Sequence, residues 1–137
     1  MTTLVEEFEQ NAGKVWQALN QKGPLSQTKL VTTTFLDQHQ LQAAIGWLAR
    51  EGKICRNGTV YKLGSTNLVE KVGNDAGKIW NALSKKQTDV DVSSLTKLTK
   101  IGVNDVYTAL GWLARENKIE VKTDPKQKNQ QIKVLLK

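Results

Sequence analysis

Between residues 4 and 20 the apolar side chains fall at Leu4, Val5, Phe8, Ala12, Val15, Trp16 and Leu19. This three-and-four spacing lays one apolar stripe along a helix. Gly13 interrupts it at a cost of about 1 kcal/mol against alanine, which points to a neighbour packed on the helix backbone. Gly23-Pro24 stops the helix. Ser26 then caps a second helix with Leu30 and Val31 turned inward, until Thr32, Thr33 and Thr34 weaken the pattern. Asp37 caps a third helix running to about Glu51, and Gln40, three positions on, completes a capping box. At about 100° per residue, Leu41, Ala44, Ile45 and Leu48 form its inward arc, leaving His39, Gln42, Ala43, Gly46 and Arg50 outward. Ile54-Cys55-Arg56, then Asn57-Gly58, then Thr59 to Leu63 reads as a hairpin closed by a type I′ turn.

The same pattern then returns. Leu68, Val69, Val72, Ala76, Ile79, Trp80 and Leu83 answer the first stripe, Asp91 answers Ser26, and Gly46-Trp47-Leu48-Ala49-Arg50-Glu51 recurs as Gly111-Trp112-Leu113-Ala114-Arg115-Glu116. The second copy of the third helix spans about Asn104 to Asn117, with Val106, Ala109, Leu110 and Leu113 inward and Asn104, Tyr107, Thr108, Gly111 and Arg115 outward. Its hairpin has strands Glu120 to Thr123 and Gln131 to Leu136 around a polar tip from Asp124 to Gln130. Three helices and a hairpin, written twice, make a mainly helical α+β chain. The expectation is two tandem winged helix-turn-helix domains, residues 1–64 and 65–137, each with three helices plus a β-hairpin wing. Gly64-Ser65-Thr66 reaches about 10 Å at most, so the two units must lie against each other.

Composition adds less. Each small unit has a thin core, and Trp16, Trp47, Trp80 and Trp112 are its largest apolar anchors, each worth about 3–5 kcal/mol if buried. The formal charge is +7, and the half from residue 65 onward holds thirteen Lys and Arg against eight Asp and Glu. That balance suits nucleic acid, an acidic protein or an anionic surface. Cys55 is the one cysteine, which excludes an intramolecular disulfide and fits a small buried hydrophobe. The start lacks a leader pattern and no apolar run nears about 18 residues. A soluble, cytoplasmic protein without membrane insertion is expected. No Ser-His-Asp arrangement, phosphate loop or carboxylate pair suggests an enzyme, and His39 has no companions at metal-ligand spacing, so neither cofactor nor metal is expected.

Ala-Gly-Lys-(Val/Ile)-Trp-x-Ala-Leu at 12–19 and 76–83, with Gly-Trp-Leu-Ala-Arg-Glu closing each third helix, resembles small bacterial and archaeal winged helix-turn-helix domains of unknown function. The layout is more distantly similar to tandem winged-helix subunits of membrane-remodelling complexes, whose wings make protein contacts. The first resemblance implies binding to double-stranded DNA, in gene regulation or chromosome association.

A groove-binding third helix would present Gln38, His39, Gln42 and Arg50 in the first copy and Asn104, Tyr107 and Arg115 in the second, side chains suited to base edges. Arg56, Lys62, Lys122, Lys126, Lys128 and Lys133 on the wings would neutralise phosphates. Against this, Arg50 stands near Asp37 and Glu51, and Arg115 near Asp105 and Glu116, so neither helix carries a positive field. The small, uncharged surfaces at Ala43 and Gly46, and at Thr108 and Gly111, suit a protein partner instead. A protein-interaction module and a homodimer therefore stay open, as does an arrangement in which one third-helix face is covered by the other repeat.

Overall fold

The computed structural model describes residues 4–86, 88–123 and 132–137. In chain order it holds α1 (Leu4–Lys22), β1 (Leu25–Ser26), α2 (Gln27–Thr34), α3 (Gln38–Arg50), β2 (Ile54–Asn57) and β3 (Val60–Leu63). The order then repeats as α4 (Val69–Ser84), β4 (Val90–Asp91), α5 (Val92–Thr99), α6 (Val103–Arg115), β5 (Ile119–Thr123) and β6 (Ile132–Leu136). Each repeat is a winged helix-turn-helix, and the fold is α+β.

Local chemistry sets the boundaries. Ser26 and Asp91 accept from the backbone N–H groups of Lys29 and Ser94, capping α2 and α5. Asp37 and Gln40 form a reciprocal capping box at α3, which satisfies two otherwise orphaned N–H groups. The threonine run does not weaken α2 as expected. Thr34 Oγ1 donates to the Leu30 carbonyl and accepts from Leu36 N–H, and Thr99 does the same between Leu95 and Ile101. The hydroxyl thus carries the chain past the helix end, while Phe35 and Lys100 adopt left-handed backbone at φ 61°.

Each wing gains a strand that the apolar pattern did not announce. Two-residue β1 and β4 pair antiparallel with β3 and β6, giving sheet orders β1-β3-β2 and β4-β6-β5. The first hairpin also differs in register. Asn57 pairs with Val60, so Gly58-Thr59 form its two-residue turn. Gly58 alone has positive φ there, the demand of a II′ rather than a I′ turn. Asn67 continues the ladder along the free edge of β2, accepting from Arg56 N–H at 3.0 Å and donating to Arg56 C=O at 2.7 Å. The linker is thereby tied to the first wing.

There are two apolar cores, and α1 contributes to both. Ala12, Val15, Ala18 and Leu19 fill the first with Leu30, Leu41, Ile45 and Ile54. Phe8, nearer the start of α1, enters the second with Ile79, Leu95, Leu110 and Val134, and Leu4 and Val5 pack beside it. Trp47 and Trp112 touch both cores. Trp16 and Trp80 do not anchor a core as expected: they are 39% and 43% exposed. Gly13 has no neighbour within 4 Å of a Cβ position, and Gly77 is equally open, so the close packing expected at Gly13 is absent. Cys55 is half-buried rather than buried.

Candidate nucleic-acid interface

In a winged helix the third helix is the element offered to a DNA groove. Here α3 and α6 lie side by side, pointing the same way, since His39 meets Tyr107 at their starts and Arg50 meets Glu116 at their ends. Aligned helix dipoles repel. Asp37 and Asp105 at the N-terminal ends, with Arg50 and Arg115 in the last turns, offset the repulsion.

The arcs read as outward are the contact surface. Gly46 lies against the backbone of Thr108, and Gly111 against that of Ala43. Without a Cβ on either glycine, the helices close to backbone contact. Ala43, Gly46, Thr108 and Gly111 are all buried, so the flat surface expected to await a partner is already occupied. The covering is mutual: each third helix covers the other, where cover for one face had been considered.

Most residues considered for base readout are held in this interface. Gln42 is 7% exposed and its Oε1 accepts from Thr108 Oγ1 at 2.8 Å. His39 stacks on Tyr107 with ring centres 4.2 Å apart and planes 9° from parallel. Burial, followed by the nearby Asp37 charge, raises the Tyr107 pKa. Asn104 is half-buried, and its carbonyl accepts from Thr108 Oγ1. Arg50 pairs with Glu116 and Arg115 with Glu51, both at 3.1 Å. Each arginine also lies over the opposite repeat's tryptophan, Arg50 at 5.6 Å from Trp112 and Arg115 at 5.8 Å from Trp47. The acids weighed against each arginine were those of its own repeat; the acids they meet lie across the interface. Lys53 and Lys118 flank Glu51 and Glu116. Gln38 stands exposed at the start of α3.

The wings are unlike each other. Arg56 Nε donates to the Gly58 carbonyl, and its guanidinium lies 5.7 Å from the Tyr61 ring, so it is spent partly on its own hairpin. Lys62 is exposed opposite Cys55. In the second wing Lys133, on the central strand, is in register with Lys122 on one side and Asp91 on the other. Like charges placed opposite each other destabilise a ladder. Hydrogen bonds from Ser94 dominate in lowering the Asp91 pKa, and the charges of Lys133 and Lys97 add to it. Lys122 and Lys133 therefore stand opposite each other on the second sheet, and Lys97 of α5 lies near Asp91 as Lys133 does. Lys126 and Lys128 lie outside the described residues. No group of His, Cys, Asp or Glu among the described residues is arranged to hold a metal ion.

Glu51 and Glu116 were the residues most easily overlooked. They end the repeated hexapeptide, and the recurrence of an Arg-Glu pair in both copies was the available sign of a reciprocal bond.

Two winged helix-turn-helix repeats joined through their third helices define the class. Residues 6–63 and 68–136 each match the winged helix-turn-helix domain family DUF2582, and the chain belongs to that family. No curated protein and no solved structure matches it. No helix among the described residues is long and apolar enough to cross a membrane.

Proposed function

We propose that this chain is a non-enzymatic, cytoplasmic regulatory protein that binds duplex DNA through its wings, with the two repeats acting as one body. The observation that carries the reading is the Lys122–Lys133 register pairing, reinforced by Lys97, on a chain of net charge +7. Lysines gathered on a wing in excess of the one carboxylate, Asp91, that stands in register with them are a phosphate-binding arrangement, which gives affinity with little base preference. Arg56, Lys62, Lys126, Lys128 and Lys133 serve with Lys122 as phosphate contacts. The base-reading roles considered for Gln42, Arg50, Tyr107 and Arg115 would require the α3–α6 contact to open, so DNA is held mainly by its backbone.

Fluorescence anisotropy with a mixed-sequence duplex tests this. Binding should fall steeply with salt. Lys122→Glu and Lys133→Glu should weaken it alike for all sequences, each reducing the salt slope by about 1. Absence of binding at low salt would sink the proposal.

A second reading, a protein-assembly module, is favoured by a different observation. Trp16 and Trp80 are half-exposed at equivalent positions, three residues after the open Gly13 and Gly77 and beside exposed Lys14 and Lys78. Exposed aromatics beside a bare helix backbone suit a partner helix. Co-purification of one stoichiometric protein, lost on Trp16→Glu with Trp80→Glu, would support it; an unchanged complex would count against it.

A further inference from the structure

Phe35 ends α2 with 92% of its surface exposed, the most of any large apolar side chain among the described residues. Its left-handed backbone does not call for a ring, because Lys100 holds the same φ of 61° at the matching position of the second repeat. A single exposed ring carries no meaning by itself. Its surroundings supply one.

Phe35 shares an open groove with Lys22 from the last turn of α1, Ser26 of β1, and Lys29, Thr32 and Thr33 of α2. Both lysines are exposed, and neither pairs with a carboxylate among the described residues. The first turn of α2, which begins in the same groove, has no acidic residue, so the positive end of the helix dipole adds to the lysines. The second repeat lacks this set. Asp91, Ser94 and Lys100 stand there in place of Ser26, Lys29 and Phe35, which puts an acid where the first repeat has a hydroxyl and removes the ring. The groove is therefore a property of the first repeat and no by-product of the fold.

A flat ring beside two unpaired lysines is the pairing that holds single strands: a base stacks on the ring and the lysines take the adjoining phosphates. An apolar helix or a lipid surface needs more apolar area than this. Leu25 is half-buried, and no large apolar side chain of the groove besides Phe35 is exposed.

We propose that this groove of the first repeat binds single-stranded nucleic acid, with one unpaired base stacked on Phe35 and the neighbouring phosphates on Lys22 and Lys29. An interior base of a duplex has both faces covered by its neighbours, so the site selects unpaired strand. The inference goes beyond the duplex reading and uses none of its residues.

Fluorescence anisotropy of the full chain tests it with two end-labelled strands of equal charge, an oligothymidylate octamer and its abasic counterpart. The octamer should bind about tenfold more tightly, the worth of one stacked base. Phe35→Ala should lower octamer affinity about tenfold, to the abasic level, and leave binding of the abasic strand and of a blunt duplex unchanged. Phe35→Trp should keep the octamer's advantage. Lys22→Gln and Lys29→Gln should weaken both strands alike, each reducing the salt slope by about 0.7. Lys122→Glu, which weakens duplex binding, should leave the octamer's advantage over the abasic strand intact, so the two sites fail separately. The comparison of strands on the unaltered chain decides the matter without any variant. Equal affinity for the two strands, octamer affinity untouched by Phe35→Ala, or Phe35-dependent capture of phosphatidylserine vesicles without octamer binding would overturn the assignment.

Discussion

Gly46 rests against the backbone carbonyl of Thr108, leaving no room for a Cβ, and Gly111 rests in the same way on Ala43. The obstacle in both cases is backbone, which cannot rotate aside. Gly46→Ala or Gly111→Ala should therefore cost about 3 kcal/mol, the upper end of overpacking, and loosen the two repeats from each other. Gly13→Ala and Gly77→Ala have the opposite sign. Both sites are open and helical, so alanine should stabilise by about 0.5–1 kcal/mol. Urea unfolding of the four variants checks the contrast, and equal effects at the two kinds of site would contradict the packing.

The reciprocal Arg50–Glu116 and Arg115–Glu51 pairs have half-exposed arginines and mostly covered carboxylates. Solvent screens such pairs, so a double-mutant cycle with Arg50→Ala and Glu116→Gln should give a coupling of about 0.5–1 kcal/mol. The coupling should shrink as salt rises. Part of the Arg50→Ala loss should survive high salt, because the guanidinium also covers Trp112, a contact worth about 0.5–1 kcal/mol.

Asp91 caps α5, and hydrogen bonds from Ser94, with help from Lys133 and Lys97, lower its carboxyl pKa. A depressed folded-state pKa means that the carboxylate is stabilised more in the folded chain than in the unfolded one. Its contribution is present above the ordinary aspartate pKa of about 3.9 and is lost as pH falls through the lower folded value. Asp91→Ala should cost about 1 kcal/mol at neutral pH, the usual value of a cap, and progressively less below about pH 4. Asp91→Asn keeps a capping oxygen but not the charge, so it should cost less than Asp91→Ala at neutral pH, and that cost should also fade as the pH falls. Thermal unfolding across an acid series would show the two curves converging.

Tryptophan substitutions should separate by position although all four residues lie in repeated motifs. Trp47 and Trp112 pack on both cores, so alanine at either should cost about 3 kcal/mol or more. Trp16→Ala and Trp80→Ala should each cost about half as much, since these side chains are well exposed. Intrinsic fluorescence should report the same division: iodide quenching is expected to fall most when Trp16 and Trp80 are removed together.

Much of the fold was legible because its causes are local. Periodicity marked the inward faces of α1, α3, α4 and α6, and Ser26, Asp37 and Asp91 cap where their side chains allow. The two-residue strands β1 and β4 were invisible to such reasoning, because pairing across a sheet supplies what a two-residue pattern cannot. The hairpin turn was missed by one residue for a related reason: Tyr61 is buried opposite Arg56, and that packing selects the register over the preference of Asn-Gly.

By itself the sequence determined two winged helix-turn-helix repeats, a linker too short to part them and an excess of positive charge in the second half. Only the tertiary structure decided what the repeated glycines do. Gly13 and Gly46 look alike in a helical pattern, yet one faces open space and the other the Thr108 backbone. Helical periodicity tells which residues share a face, and burial against another helix depends on what the rest of the chain brings to that face. Here it brought the matching face of the other repeat, so the surface expected to meet DNA became the seam of the molecule.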